Sequence, residues 1–530
     1  MGQRASRDSD GSEDEADAGA VNDENDEQRS HSRRSSVDAA APAVLEPRRH
    51  QGERGIDLLS VLEDLYRTGQ LRVMPGNRMF DRHPPISEAH RVPRSKPDTT
   101  VMDRSDFKKR VLVKSGDEYL YKMNVPYGDV PLTALHEFRP LRQQEKIKLG
   151  QHFIPNSAYR LLSSEEKLFC GLHSQDGNLF MTSGQDQAIR IYDTTKACTR
   201  GKPLKKIRRF DARDVGWSVL DVRLSTCNRY VAYSSWSDSL HLATVHDDSS
   251  HVSLQLNPES QHCGIFSLMF SHDDTEILAG GNHGDIYIVS LLNGRSQRIA
   301  SAHADDVNTV AFADQTSHIL YSGGDDGIIR VWDRRTLSEE RPKACGLFLG
   351  HKHGIVYLDP HSDGRHLLSN SKDQLLKIWD LRCLSPADGL DEAKRAVGEN
   401  RWDYRYRMKD RICPRKLKAD RSVITISGHN VSQTLIRARF SPYESTASRF
   451  VYTGDGNGYV YVFDALTGEV VQSIRHHDSV VRDVSWHPSR PELISTGWDH
   501  CLNLWTYSQT PIVESPPTEI QTTSDSDDDL

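Results

Sequence analysis

Between Ser301 and Arg335 the chain alternates short apolar runs with polar turns. Val307–Phe312, Ile319–Ser322 and Ile328–Trp332 are the runs, and Gly323-Gly324-Asp325-Asp326-Gly327 separates the last two. Runs this short, rich in β-branched and aromatic residues and bounded by Gly and Asp, predict antiparallel strands joined by tight turns. His303, Ser322, Asp326 and Trp332 stand where a hydrogen-bonded tie would brace the unit.

The pattern recurs along the chain. The turn position held by Asp326 is met again at Asp186, Asp238, His283, Asp373, Asn457 and Asp499. Successive turns fall about 40–50 residues apart, apart from one doubled interval after Asp373. This spacing and the His–Ser–Asp–Trp tie resemble WD repeats, which implies an all-β, seven-bladed WD-repeat β-propeller with four strands per blade. Blades one to five run from Leu168 to Arg382, and blades six and seven occupy Gly428–Asp464 and His477–Tyr507. Blade two carries Trp217 where a polar loop residue is usual. Blade three lacks the tie Asp and Trp and is expected to be held by packing alone. Ile147–Phe153 is read as a strand that closes the ring against the last blade. His303, His351, His429 and His477 are assigned to the ties rather than to catalysis or metal binding.

Outside the repeats the character changes. Residues 1–55 are polar, charged and poor in aromatics, the composition of a disordered arm. Met1-Gly2-Gln3-Arg4-Ala5-Ser6 fits an N-myristoylation pattern on Gly2, and Arg33-Arg34-Ser35-Ser36 fits a basophilic phosphorylation site at Ser36. The plain alternative for both is a solvated arm. Residues 56–73 place Ile56, Leu59, Leu62, Leu65 and Tyr66 at helical spacing, with Gly69 following as a cap. So short a helix is marginal alone and needs a surface to pack on, either its own propeller or a partner's groove. Residues 74–145 form an irregular, partly Pro-rich linker. Residues 146–508 form the propeller, with an insertion at 383–426, and residues 509–530 an acidic tail.

Charge sharpens this division. The chain carries a formal net charge of −8. Met1–Ser30 contributes −7 and Gln509–Leu530 contributes −6, which leaves +5 for residues 31–508. Within the insertion, Lys394–Arg421 has eleven basic and four acidic residues, interleaved with Trp402, Tyr404 and Tyr406. The eight cysteines are scattered without a CxxC pair, as expected of a reduced protein without a zinc cluster. No apolar run has the length of a membrane-spanning helix. There is no phosphate-binding glycine loop, nucleophile elbow or zinc-spaced His pair, so the reading is non-catalytic, with no cofactor and no metal.

Two blades end their third strand with the same box: Trp332-Asp333-Arg334-Arg335 and Trp379-Asp380-Leu381-Arg382. In an up-and-down blade the A–B and C–D loops share one face, and the B–C and D–A loops share the other. Arg335 and Arg382 begin C–D loops of adjacent blades, either as a docking pair or as braces of their own blades. Paired boxes of this kind behind a leucine-rich helix resemble the substrate receptors of cullin-4 RING ubiquitin ligases. The stretches ARDVGWSVLDV, SSWSDSLHLA, NTVAFADQTSHILYSGGDD, SNSKDQLLKIWDLR, NRWDYRYR, TLIRARFSP and VRDVSWHP carry the resemblance over most of Phe169–Tyr507. It implies that Trp332, Asp333, Arg335, Trp379, Asp380, Arg382 and the helix residues Leu59, Leu62 and Leu65 meet the damage-specific DNA-binding protein 1 adaptor of the cullin-4 ligase. Trp402-Asp403-Tyr404-Arg405 lies inside the insertion and is not counted as a box.

With that face on the adaptor, targets are expected on the opposite one. Its loops hold Arg213, Trp217, Trp236, Lys372 and Trp498, residue types from which interface hot spots are made. The resemblance further implies action in the nucleus and cytoplasm, on targets that include stress-response transcription factors of the basic-zipper type. Two other readings stay open. One is a nucleic-acid-binding propeller that uses the basic, aromatic insertion, disfavoured because the rest of residues 31–508 nets −2 once its +7 is removed. The other is a plain scaffold.

Overall fold

The computed structural model describes residues 96–115, 143–198, 203–246, 251–256, 264–337, 342–399 and 416–509. Seven four-stranded antiparallel sheets form a β-propeller. The first strand of each sheet lies innermost: Leu168–His173, Asp221–Leu224, Ile265–Phe270, Val307–Phe312, Ile355–Pro360, Ala438–Phe440 and Val481–Trp486. These strands are largely buried because both faces meet neighbouring blades; most of their positions are apolar, but Asp221, Arg223, Arg439, Arg482 and Asp483 stand among them. Outer strands such as Lys205–Asp211 and Val470–Arg475 are mostly exposed or partly buried, as strands with one solvated face are.

The ring is closed by the segment ahead of blade one. Ser157–Ser163 pairs antiparallel with Cys501–Thr506 and becomes the fourth strand of blade seven. Closure by an N-terminal strand was expected, but at another place. Ile147–Phe153 is not a strand, since Gln143–His152 is a helix with Ile147 buried on its inner face. The linker also contains two further helices, Thr100–Arg104 and Asp106–Ser115. Met102, Phe107 and Val111 of these bury against Leu368, Val423 and Phe440 of blades five and six.

The insertion does not stand between blades. Blade five takes its third strand from Leu375–Asp380 and its fourth from Ile424–Ser427, so the extra chain is an enlarged C–D loop. A helix at Leu390–Glu399 begins it, and its Ala393 packs with Ile328, Leu349, Leu417 and Ala419. The segment around Trp402, Tyr404 and Tyr406 lies outside the described residues, as do Gly2, Ser36, the 56–73 segment and the acidic tail.

Among the described residues the tie forms in three blades. In blade four His303 bonds Asp326 at 3.0 Å and Ser322 at 2.6 Å, while the Trp332 indole donates to the same Ser322 hydroxyl at 2.8 Å. His351, Asp373, Ser369 and Trp379 repeat this in blade five, and His477, Asp499, Ser495 and Trp505 in blade seven.

The remaining blades depart from it. His429 bonds Asn370 of blade five at 2.9 Å and makes no tie to Asn457. Blade three is not held by packing alone, because Asp285 is paired with Arg298 at 2.6 Å and accepts the Ser301 amide. In blade two Ser234 pairs with Leu240, which centres the turn on Ser237 rather than on Asp238. Tyr233 thereby takes the place of the tie serine, and its hydroxyl accepts the Arg213 amide at 2.8 Å.

Candidate functional site

The two boxes have one geometry. Asp333 ends the third strand of blade four, and its carboxylate caps the turn Arg334–Thr336 by accepting the Arg335 amide. The same carboxylate takes two parallel bonds from Arg335, Nε at 2.9 Å and Nη2 at 2.7 Å. Those bonds hold the Asp333 acid down to about 2. In blade five Asp380 accepts the Arg382 amide, Nε at 3.2 Å and Nη2 at 2.9 Å. A bidentate fork fixes a planar guanidinium that would otherwise sample many rotamers. Even so, the Arg335 and Arg382 side chains remain 64% and 54% exposed. Trp332 and Trp379 are buried in the ties. They shape the strand ends and present no surface of their own.

The blade-five box has a further component, which the linker's irregular appearance hid from the sequence. Asp106 lies 3.0 Å from Arg382 and 2.8 Å from Arg365, and Arg365 in turn bonds Asp380. Arg110, one helical turn on, pairs with Asp363 at 3.1 Å. Between them Phe107 packs edge-on to His361 and His366 at 5.4 and 5.1 Å. The Phe107/Val111 spacing was the signal for this helix. On the blade-four side Arg334 reaches Glu276 of blade three at 2.6 Å. The helix residues Leu59, Leu62 and Leu65 lie outside the described residues.

The opposite face divides the expected residues. Arg213, Trp217 and Trp236 are exposed, the two indoles at 48% and 43%. Trp217 stands edge-on to Phe169 and Trp236 edge-on to Phe266, so each is braced from beneath. Trp498 is partly buried against Phe169, with Lys167 over its ring at 4.9 Å. Lys372 is not available to a partner. It is buried, and its ammonium bonds both oxygens of Asp325 at 2.7 and 2.9 Å, which ties blade five to blade four.

Known proteins match this chain. The family model described as "WD domain, G-beta repeat" matches residues 294–333, 343–380 and 468–506. A Caenorhabditis briggsae protein named "DDB1- and CUL4-associated factor 11 homolog" is 32% identical over 445 residues, covering 82% of this chain and 79% of the relative. The chain belongs to that family. The Caenorhabditis elegans protein of the same name is 37% identical over 371 residues, covering 68% of this chain and 64% of its own length. The chain thus spans less than two thirds of that relative. A Lithospermum erythrorhizon protein named "LEC14B protein" is 36% identical over 373 residues, 68% of this chain and 76% of the relative.

Proposed function

We propose that this chain is a non-catalytic substrate receptor of a cullin-4 RING ubiquitin ligase. In this reading the face of the A–B and C–D loops docks on the DDB1 adaptor, and the face carrying Trp217 and Trp236 receives target proteins. The names of the two nematode relatives support the choice of partners. The observation that carries the reading is the pair of carboxylate-forked, half-exposed arginines on adjacent blades. Two pre-oriented guanidiniums suit a partner's carboxylates or backbone carbonyls at little cost in side-chain order. The ligase would supply the chemistry, and the receptor proximity. Targets of the basic-zipper, stress-response type, and action in both nucleus and cytoplasm, are the finer parts of the proposal and rest on the family resemblance.

The test is co-purification of DDB1 with the full chain and with the Arg335→Glu/Arg382→Glu double variant. Loss of DDB1 with an unchanged thermal melt supports the proposal. Retention of DDB1 by the double variant, or failure of the unaltered chain to hold it, overturns it.

A further inference from the structure

The centre of the ring holds an unusual concentration of buried charge. Arg223 of blade two, Arg437 and Arg439 of blade six and Arg482 of blade seven all project from or beside innermost strands. The carboxylates among them are Asp221, Asp359 and Asp483. Asp221 is paired with Arg437 at 2.7 Å, and Asp483 is shared between Arg437 at 2.9 Å and Arg439 at 2.6 Å. Arg482 donates to the carbonyls of Phe169 and Leu220 and to the Thr434 hydroxyl. Guanidiniums therefore outnumber carboxylates in a region where an uncompensated charge is costly.

The charges fall into two levels. Innermost strands run from the D–A face towards the A–B face, so Asp221 and Arg437 lie above Arg223 and Arg439. The upper level is closed by the bonds across the ring just described. The lower level is less complete. The Arg223 Nη2 donates across the ring to the Tyr357 hydroxyl at 3.0 Å, but its Nε reaches Asp221 only at 3.5 Å, outside hydrogen-bonding geometry. Arg439 bonds Asp483 and the Val484 carbonyl through Nη1, and its buried Nη2 has no partner. Both guanidiniums lie within 6.0 Å of the Tyr357 ring. Asp359, the acid of this level, spends one oxygen on the Phe440 amide at 2.7 Å. The Arg223 side chain keeps 17% exposure, the largest among Arg223, Arg437, Arg439, Asp221 and Asp483.

We propose that this lower level binds one small oxyanion, either free phosphate or the phosphate group of an organic monoester, between Arg223 and Arg439 beside the Tyr357 hydroxyl. The chemistry is that of forked guanidinium donors on a tetrahedral oxyanion, strengthened by exclusion of water. An oxyanion there satisfies the Arg439 Nη2 and the Arg223 Nε together and offsets the excess of positive charge. Neither the ligase reading nor the two boxes enter this argument.

The test is isothermal titration calorimetry on the full chain, at constant ionic strength in chloride, with inorganic phosphate and with glycerol 2-phosphate as separate probes. Saturable one-to-one binding of either supports the site. Binding of phosphate alone identifies the free ion as the ligand, and binding of both identifies a level open to esters. Arg223→Gln keeps a donor for Tyr357 but loses the charge, and Arg439→Lys keeps a cation for Asp483 but loses the fork. Each is expected to weaken binding roughly tenfold or more, the loss of one charge-assisted bond. If Arg439→Lys does not fold, Arg223→Gln alone decides. No saturable heat with either probe, or unchanged affinity in a folded variant, overturns the proposal.

Discussion

Asp106 and Arg382 are 276 positions apart in the chain and 3.0 Å apart in space. The contact joins a helix ahead of the propeller to a C–D loop of its fifth blade. It makes the blade-five box different from the blade-four box, where Arg335 answers to Asp333.

Two substitutions separate the charged and apolar parts of this docking. Asp106 and Arg382 are both substantially exposed, so Asp106→Asn should cost no more than about 1 kcal/mol. Phe107 is buried among His361, His366 and Phe440, and Phe107→Ala should cost about 3 kcal/mol of helix docking. Limited trypsin digestion checks this. Cleavage at Lys108, Lys109 or Arg110 should appear in Phe107→Ala and not in Asp106→Asn. Equal protection of both variants would show that the apolar contact does not hold the helix.

The ties predict a local sensitivity. Ser322 serves both His303 and Trp332, so Ser322→Ala leaves two buried nitrogens short of a partner, at about 1–3 kcal/mol. In blade two Tyr233→Phe removes the acceptor of the Arg213 amide and the partner of the His251 Nε2, but that imidazole is only partly buried and water can replace the lost bond, so the change should cost about 1 kcal/mol. Urea denaturation of the two variants should rank them in that order.

Asp455 sets a pH dependence. Burial pushes its carboxyl up to about 7, against the lowering effect of the Asn430 and Asn457 amides. The folded state therefore keeps a proton that the unfolded chain releases between about pH 4 and pH 7, and stability falls as pH rises through that window. Asp455→Asn retains a carbonyl acceptor without the charge. It should raise the melting temperature at pH 8, by a gain on the order of 1 kcal/mol that disappears near pH 4. Asp326, Asp373 and Asp499 act oppositely: bonds to their tie histidines hold all three low, so the stability they contribute is lost only in strong acid. A melt of Asp455→Asn that tracks the unaltered chain at every pH would refute the assignment.

Trp217 tests the proposed target face. Its indole is half exposed and edge-on to Phe169, so Trp217→Ala should leave the melt and DDB1 co-purification unchanged while weakening target capture. Trp236 differs because its ring lies over Gly264, where an added Cβ would come within 2.6 Å. Trp236→Ala should therefore lower the melting temperature as well. Identical melts for the two variants would show that Trp236 carries no packing role.

Much of the architecture was legible along the chain because it is local. Strand length, the Gly/Asp turns and the His–Ser–Asp–Trp spacing in blades four, five and seven lie within a few dozen residues of one another, so one repeat predicts its own hydrogen bonds. The Asp333 and Asp380 forks are two residues long and equally local. Reading failed where a position is decided by a distant partner. Lys372 looks like a loop cation until Asp325 of the next blade is placed against it. His429 has the tie spacing but meets Asn370 across the blade boundary.

The sequence by itself therefore determined the number of blades, their strands and the two boxes, since turns and alternation are short-range properties of a chain. Only the tertiary structure decided which segment closes the ring, that the insertion belongs inside blade five, that Asp106 stands at Arg382, and that four arginines converge on one centre. Each of these depends on seven similar sheets meeting around a common axis. Circular closure brings together residues up to some three hundred and fifty positions apart, as with Ser157 and Thr506, and no local pattern records such a contact.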